Sequence, residues 1–131
     1  MGFVHADFTL ANLFTKKTVP IRALVDTGAM EVFVTEPIAR ELGFDVTEVS
    51  LKTVILADGS VRAVPTIAPV RTYFADRSCL VDVMVMGDEC LVGVVPLELM
   101  ALIVDPVRQR VVFDPKYPAG QRLRLSGPRR G

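Results

Sequence analysis

The residues best suited to chemistry stand together in the stretch 23–29, which reads Ala-Leu-Val-Asp-Thr-Gly-Ala. Three apolar residues precede Asp26, so a buried strand is expected to end in a carboxylate, whose desolvation is costly unless other groups compensate. Gly28 allows a backbone conformation or a close approach that other residues resist, and the Thr27 hydroxyl can donate and accept hydrogen bonds. This pattern indicates a carboxylate held in place for acid–base chemistry.

An isolated Asp-Thr-Gly is also an ordinary turn, in which Asp26 would only accept backbone N–H bonds. The context favours the chemical interpretation, because a second apolar-apolar-glycine step occurs at Leu91-Val92-Gly93. Each step is followed by a short helical pattern, so the chain contains an approximate internal duplication of strand, glycine and helix. Only the first copy carries an aspartate.

Short apolar or alternating runs, separated by turn residues, predict a chain built mainly of β-strands. The strands expected from this pattern are 3–13, 19–25, 32–34, 49–57, 61–64, 70–75, 80–86, 102–105, 110–113 and 121–125. The first two form a hairpin that ends at Asp26, and an Asp-Gly-Ser turn at 58–60 joins two more. Residues 76–78 are expected to be another turn. Many short strands and few helices indicate an all-β fold, a small closed β-barrel.

Two short helices are expected, one after Glu36-Pro37 and one after Val95-Pro96. Proline suits the first turn of a helix, and the residue before a proline disfavours helical geometry. Gly43 predicts a left-handed cap at the end of the first helix, with the next residue, Phe44, packing back on that helix.

Composition limits the classes of function. Half of the 131 residues are apolar, which suits a single domain; we assign it to residues 1–125 and expect 126–131 to be a disordered tail. A net charge of zero disfavours a nucleic-acid partner, and no signal-peptide pattern or long apolar run is found, so a cytoplasmic protein without membrane contact is expected. Cys79, Cys90 and His5 form no set of metal ligands, so no metal or cofactor is expected, and both cysteines are expected to be reduced.

The chain resembles the retropepsin-like aspartic proteases, single-domain enzymes related to the retroviral proteases. The resemblance is carried by the loop 23–29, a possible flap at 56–60 and the step 91–93 before a helix, which together span most of residues 3–113. It implies the acid-protease type of β-barrel with Gly28 and Gly93 close together at its centre, and it makes Asp26 the catalytic residue. It assigns support of the active site to Thr27, Gly28, Leu91, Val92 and Gly93, and substrate binding to Ala29, Met30, Ala57, Asp58, Gly59 and Ser60.

The chemistry of this family needs two carboxylates that share one proton, one acting as a base on water and the other as an acid. The sequence offers one such aspartate, so the resemblance implies a homodimer in which Asp26 of two subunits meets across a twofold axis. Thr27 would form hydrogen bonds across that interface, and the hairpin with the turn at 58–60 would close over an extended peptide substrate.

One departure from the family pattern keeps other functions open. Met30 is apolar, whereas cellular relatives often have Ser or Thr there and retroviral ones a carboxylate; the acidic residue, Glu31, comes one position later. A catalytically inactive protease-like module for dimerisation or peptide binding is therefore the second hypothesis. A small β-barrel that binds an apolar ligand is the third, and it would leave Asp26 unexplained.

Overall fold

A computed structural model of the chain describes residues 3–117. Within them the strands are Val4–Asn12 (β1), Thr18–Val25 (β2), Val32–Val34 (β3), Ser50–Ile55 (β4), Val61–Ile67 (β5), Val70–Phe74 (β6), Arg77–Leu80 (β7), Val83–Val85 (β8), Leu91–Val92 (β9), Leu102–Asp105 (β10) and Arg110–Phe113 (β11). The helices are Glu36–Glu41 (α1) and Val94–Leu99 (α2), and neither of these two is both long and apolar enough to cross a membrane. The predicted strand 121–125 and the predicted tail 126–131 lie outside the described residues.

One sheet contains β1 to β9, in the order β4-β5-β8-β3-β9-β2-β1-β6-β7, and β10 and β11 pair as a separate hairpin. The sheet is curled into a half-barrel. Most neighbouring strands are antiparallel, but β2 runs parallel to β9 and β3 runs parallel to β8. The predicted all-β fold class with two short helices is therefore confirmed. The parallel pairing of β2 with β9 brings the two apolar-glycine steps of the sequence side by side.

The core follows from alternation along the β1–β2 hairpin. The two strands pair antiparallel over nearly their whole length, and every second side chain points inward. Phe8 and Leu10 in β1, with Ile21 and Ala23 in β2, are buried. Full burial of a large apolar side chain contributes about 1.5–3 kcal/mol. Asp26 therefore follows a hairpin whose inward side chains are packed in the core.

The predicted cap of the first helix is confirmed. Gly43 has a φ of 94°, in the left-handed region. The N–H of Gly43 donates to the Arg40 carbonyl and the N–H of Phe44 donates to the Ala39 carbonyl, at 2.9 and 3.1 Å. These two bonds form a Schellman motif, which satisfies carbonyl groups that the end of a helix leaves free. The motif thus fixes the C-terminal end of α1.

Gly43→Ala should lower the free energy of unfolding by about 1 kcal/mol, the cost of a left-handed residue that carries a Cβ. Crowding adds little, because the nearest atom to the added Cβ would be the Lys17 Cδ at 3.4 Å. Chemical denaturation of the variant and the wild type measures the difference. A variant as stable as the wild type would contradict the cap geometry.

The strands between residues 70 and 86 differ from the prediction. The turn lies at 75–76 instead of 76–78, and the predicted strand 80–86 is replaced by two strands, β7 and β8, with different partners. The turn ends earlier than predicted because Arg77 is buried in β7, where it is 4% exposed. Its guanidinium donates hydrogen bonds to the carbonyl oxygens of Met100, Ala101 and Tyr117. These bonds compensate for burying a charge that a sequence pattern places in a surface turn.

Candidate active site

Asp26 lies directly beyond the end of β2, at the point where that strand runs beside β9. Leu24 pairs with Leu91 and Val25 pairs with Val92. The backbone N–H of Asp26 then donates to the Val92 carbonyl at 3.0 Å, so the pairing continues one residue past the strand. The side chain of Asp26 is half-buried. Its carboxylate is thus fixed by the sheet and still open to a ligand.

A tight turn holds the Asp26 carboxylate. Its Oδ1 accepts the Gly28 N–H at 2.9 Å, and its backbone carbonyl accepts the Ala29 N–H at 3.0 Å. The first bond is that of an Asx turn, which Asp forms readily, and the second is the backbone bond of a β-turn. Thr27 and Gly28 are exposed in the single chain. The turn that the ordinary interpretation of Asp-Thr-Gly predicts is therefore present, and it orients the carboxylate.

Gly93 packs directly against the loop that follows Asp26. A Cβ at this position would lie 2.5 Å from the Ala29 carbonyl oxygen and 2.7 Å from the Met30 carbonyl carbon. Contacts this short to backbone atoms do not occur in folded proteins, so only glycine fits here without a shift of the loop. The structure thus brings Gly93 against Ala29, the residue after Gly28.

Three backbone hydrogen bonds join the same loop to the start of α2. They run from successive N–H groups to the carbonyls of consecutive loop residues, at 2.8 to 3.1 Å. The donor and acceptor pairs are Gly93 to Glu31, Val94 to Ala29 and Val95 to Met30. Since the carbonyls accept N–H groups that the first turn of a helix leaves free, the loop and the helix fix each other. The sequence pattern gave no sign of these bonds.

Asp26 shares one face of the sheet with half-buried apolar side chains. Alternation along β2 places Leu24 on the same face as Asp26. Pairing places Leu91 beside Leu24 and Phe33 beside Leu91, and all three are of intermediate exposure. We call the surface made by Leu24, Leu91 and Phe33 the cleft face. An apolar surface beside a held carboxylate can bind an extended chain with apolar side chains.

The predicted flap residues form the tip of the β4–β5 hairpin, and Ala57, Asp58, Gly59 and Ser60 are all exposed. Gly59 has a φ of 85°, and Asp58 Oδ1 accepts the N–H and the hydroxyl of Ser60 at 2.9 and 2.6 Å. These bonds, the hydroxyl first, lower the pKa of Asp58. The stability that these bonds give the turn is fully present above the ordinary pKa of an aspartate. It is lost only when the pH falls through the lowered pKa of Asp58, so the turn keeps its hydrogen bonds in mild acid.

Not all predicted site residues are brought together. The residues from Asp26 to Met30 and from Leu91 to Gly93 form one constellation, whereas no hydrogen bond among the described residues joins the hairpin tip to it. Met30 is 60% exposed. The catalytic and binding roles of these residues stay predictions.

Three charged residues lie close together near this constellation: Glu31, Lys52 and Asp82. The sequence pattern did not predict this group. Lys52 in β4 lies 3.3 Å from Glu31 and 3.7 Å from Asp82. Lys52 stands in the strand Ser-Leu-Lys-Thr-Val-Ile, and both of its partners are far from it in the sequence, so no local pattern marked the pairing. The three therefore become a group only in the fold.

The two thiols are poor candidates for a catalytic nucleophile. Cys79 and Cys90 are free and buried. Burial raises the pKa of Cys79 to about 11 and also raises the pKa of Cys90, to which the neighbouring Glu89 carboxylate adds. The thiolate, which is the reactive form, is thereby disfavoured at neutral pH. The His5 imidazole contacts Glu89, with Nε2 3.0 Å from Oε2, and among the hydrogen bonds of residues 3–117 none joins His5 to a cysteine.

Comparison with known sequences identifies a family. The sequence profile of a family described as aspartyl protease matches residues 12–90, a segment that contains both the Asp26 loop and the β4–β5 hairpin. A comparison with curated proteins finds no match.

The fold is similar to two solved structures. A retropepsin-like aspartic protease from Rickettsia conorii superposes with a TM-score of 0.56 at 21% identity, over 80% of this chain and 89% of that one. The retroviral protease-like domain of Ddi1 from Leishmania major gives a TM-score of 0.58 at 15% identity, over 88% of this chain and 90% of that one. At these identities the likeness concerns the fold, and it confirms the expected retropepsin-like architecture.

Proposed function

Since this chain belongs to the aspartyl protease family and has a retropepsin-like fold, we propose that it is an aspartic endopeptidase that acts as a homodimer. The observation that carries the proposal is the half-buried Asp26, held at the end of β2 by the Gly28 N–H and by the Val92 carbonyl. A carboxylate in this position has no evident structural task that a neutral turn residue could not perform.

A second copy of the chain is needed because the internal duplication supplies only one aspartate. At the second step, Gly93 is followed by Val94 and Val95, whose N–H groups bind the loop after Asp26 and whose side chains carry no carboxyl group. The proposed mechanism needs two carboxylates close enough to share one proton. A twofold axis beside the exposed Thr27 and Gly28 would place two copies of Asp26 face to face.

In this dimer the two Asp26 carboxylates take different roles. The ionised one accepts a proton from a water, whose oxygen attacks the carbonyl carbon of the scissile peptide bond, while the protonated one donates to the carbonyl oxygen. Collapse of the tetrahedral intermediate breaks the C–N bond as the protonated carboxyl gives its proton to the leaving nitrogen. A hydroxyl of the intermediate gives its proton to the other carboxylate as the new carbonyl forms, so the pair again holds one proton. The Gly28 N–H bond to Oδ1 orients the carboxylate for these transfers.

The substrate class that fits the site is an extended peptide. Leu24, Leu91 and Phe33, which form the cleft face, offer apolar contacts on the side of the sheet that carries Asp26. Closure of the β4–β5 hairpin over the peptide would add β-type backbone bonds and exclude water, which strengthens electrostatic interactions at the reacting centre.

A second candidate function is a catalytically inactive module that dimerises or binds peptides. The observation that favours it is Met30, which is apolar and 60% exposed at the position where the family pattern often has a polar side chain. Such a module would bind peptide without cleaving it. Measured binding of a peptide that stays intact on long incubation would support this candidate.

The rate of peptide cleavage should follow a bell-shaped pH profile with its maximum on the acid side of neutrality. Two ionised carboxylates lack the acid and two protonated ones lack the base, so only the singly protonated pair works. A statine-type inhibitor, whose hydroxyl takes the place of the attacking water, should block cleavage. Assays from acid to alkaline pH, with and without inhibitor, make the test; a rate that rises steadily into alkali and ignores the inhibitor would contradict the proposal.

A further inference from the structure

The β4–β5 hairpin is attached to the rest of the fold by little backbone pairing. β4 is an end strand of the sheet, with β5 as its neighbour. β5 pairs with β8 through its last two residues, Thr66 and Ile67. Within the described part of the chain, residues 51–65 thus find strand partners only inside the hairpin itself. Side-chain contacts at the base of the hairpin must therefore help to fix its position.

Lys52 makes such contacts. Its ammonium nitrogen lies 3.3 Å from Glu31 Oε2 and 3.7 Å from Asp82 Oδ2. Glu31 is itself fixed, because its backbone carbonyl accepts the Gly93 N–H at 2.8 Å. Lys52 consequently links three segments: the hairpin, the end of the loop that begins at Asp26, and the connection that leads into β8.

These charged groups border a cavity instead of a solidly packed interior. The cavity has a volume of about 480 Å³, and its wall includes Met30, Pro69, Leu80 and Val95 beside the three charged side chains. Close packing resists displacement, whereas side chains beside open space can move at smaller cost. On the side that faces the cavity, the charge pair therefore helps to hold the hairpin base, in addition to the packing of the buried Val64, which pairs with Lys52 across the hairpin.

The Glu31 carboxylate depends on Lys52 in turn. Its Oε1 is buried and finds no hydrogen-bond donor among the described residues, and its Oε2 is the atom that Lys52 contacts. Loss of the ammonium would leave a partly buried carboxylate without its cation, which is unfavourable. The two side chains are 42% and 31% exposed, so solvent screens the pair only in part.

We propose that Lys52 is a positioning residue: by pairing with Glu31 and Asp82 it holds the base of the β4–β5 hairpin against the loop after Asp26, so that the hairpin can cover the cleft face. The inference rests on the proposed function, because the position of the hairpin affects catalysis only if a peptide binds beneath it. A hairpin that is ordered before the substrate arrives lowers the entropic cost of binding. Loss of this order weakens substrate binding more than the chemical step.

The test compares Lys52→Met, which removes the charge, with Lys52→Arg, which keeps it. Amide hydrogen exchange over residues 50–65 reports on the hairpin without requiring any peptidase activity. Exchange in Lys52→Met should be about twofold to fivefold faster, as for the loss of a partly exposed ion pair. The KM for a peptide should rise by a similar factor with kcat nearly unchanged, and Lys52→Arg should restore both values.

Arg22→Met is the matched control. It removes a cation that pairs with Asp7 at 3.1 Å on an exposed part of the β1–β2 hairpin. Faster exchange over 50–65 in Lys52→Met, and not in Arg22→Met, supports the positioning role. Unchanged exchange in Lys52→Met, or an equal change in both variants, overturns it. If the wild-type protein cleaves no peptide, the proposed function fails, while hydrogen exchange still decides whether Lys52 holds the hairpin.

Discussion

Asp26→Asn should reduce peptide cleavage by roughly a thousandfold or more, within the range of a lost general acid–base contribution. Asparagine keeps the shape of the side chain, and its carbonyl oxygen can still accept the Gly28 N–H. The amide can neither take a proton from water nor share one with a second carboxylate. In a homodimer the substitution removes both catalytic carboxylates at once. Cleavage rates of a fluorogenic peptide by the variant and the wild type measure the effect.

The fold and the dimer should survive Asp26→Asn. Two carboxylates held close together repel each other when both are ionised, so two amides relieve repulsion without adding bulk. Circular dichroism and light scattering across a concentration series provide the control, with the mass of two chains expected for both proteins. Full activity in the variant would show that the catalyst lies elsewhere in the chain.

Gly93→Ala should lower the free energy of unfolding by about 3 kcal/mol, at the upper end of the usual cost of overpacking. The added Cβ would meet backbone atoms of Ala29 and Met30, at 2.5 to 2.7 Å, and these cannot rotate away. The loop must shift, and Asp26 shifts with it. A displacement of about 1 Å can cost roughly a hundredfold in rate, so folded Gly93→Ala should also show a much lower kcat. Chemical denaturation, and cleavage assays below the unfolding transition, measure the two effects separately.

Gly87→Ala provides the matched control for this substitution. Gly87 has a φ of 84°, and no atom lies within 4 Å of the position that an added Cβ would take. Its replacement should cost about 1 kcal/mol of left-handed strain and leave kcat unchanged. Equal losses of stability and activity in the two variants would contradict the packing role assigned to Gly93.

Local signals in the sequence were sufficient for most of the fold. Alternation of apolar residues marked both strands of the β1–β2 hairpin, and the Asp-Gly pair marked the turn at Gly59, which adopts a positive φ. Proline and glycine marked the start and end of α1, where Gly43 forms the cap. These features depend on residues close to each other along the chain, so a single sequence contains the necessary information.

Features that depend on distant residues could not be predicted in the same way. Arg77 was placed in the turn 76–78 between two predicted strands, yet distant carbonyl oxygens make its burial in β7 possible. The bonds from α2 to the loop after Asp26 involve backbone groups, which have no signature in side-chain patterns. The association of Lys52 with Glu31 likewise joins residues that are 21 positions apart in the sequence, one in β4 and one in the loop after Asp26.

The activity of mixed dimers tests the two-carboxylate mechanism most directly. Wild-type and Asp26→Asn chains are mixed in equal amounts, allowed to exchange subunits, and assayed for peptide cleavage. If each active site needs Asp26 from both subunits, only about one quarter of the dimers are active at this ratio, and activity follows the square of the wild-type fraction. A linear dependence on that fraction, with about half of the activity left in the equal mixture, would mean that each chain works alone and would contradict the mechanism.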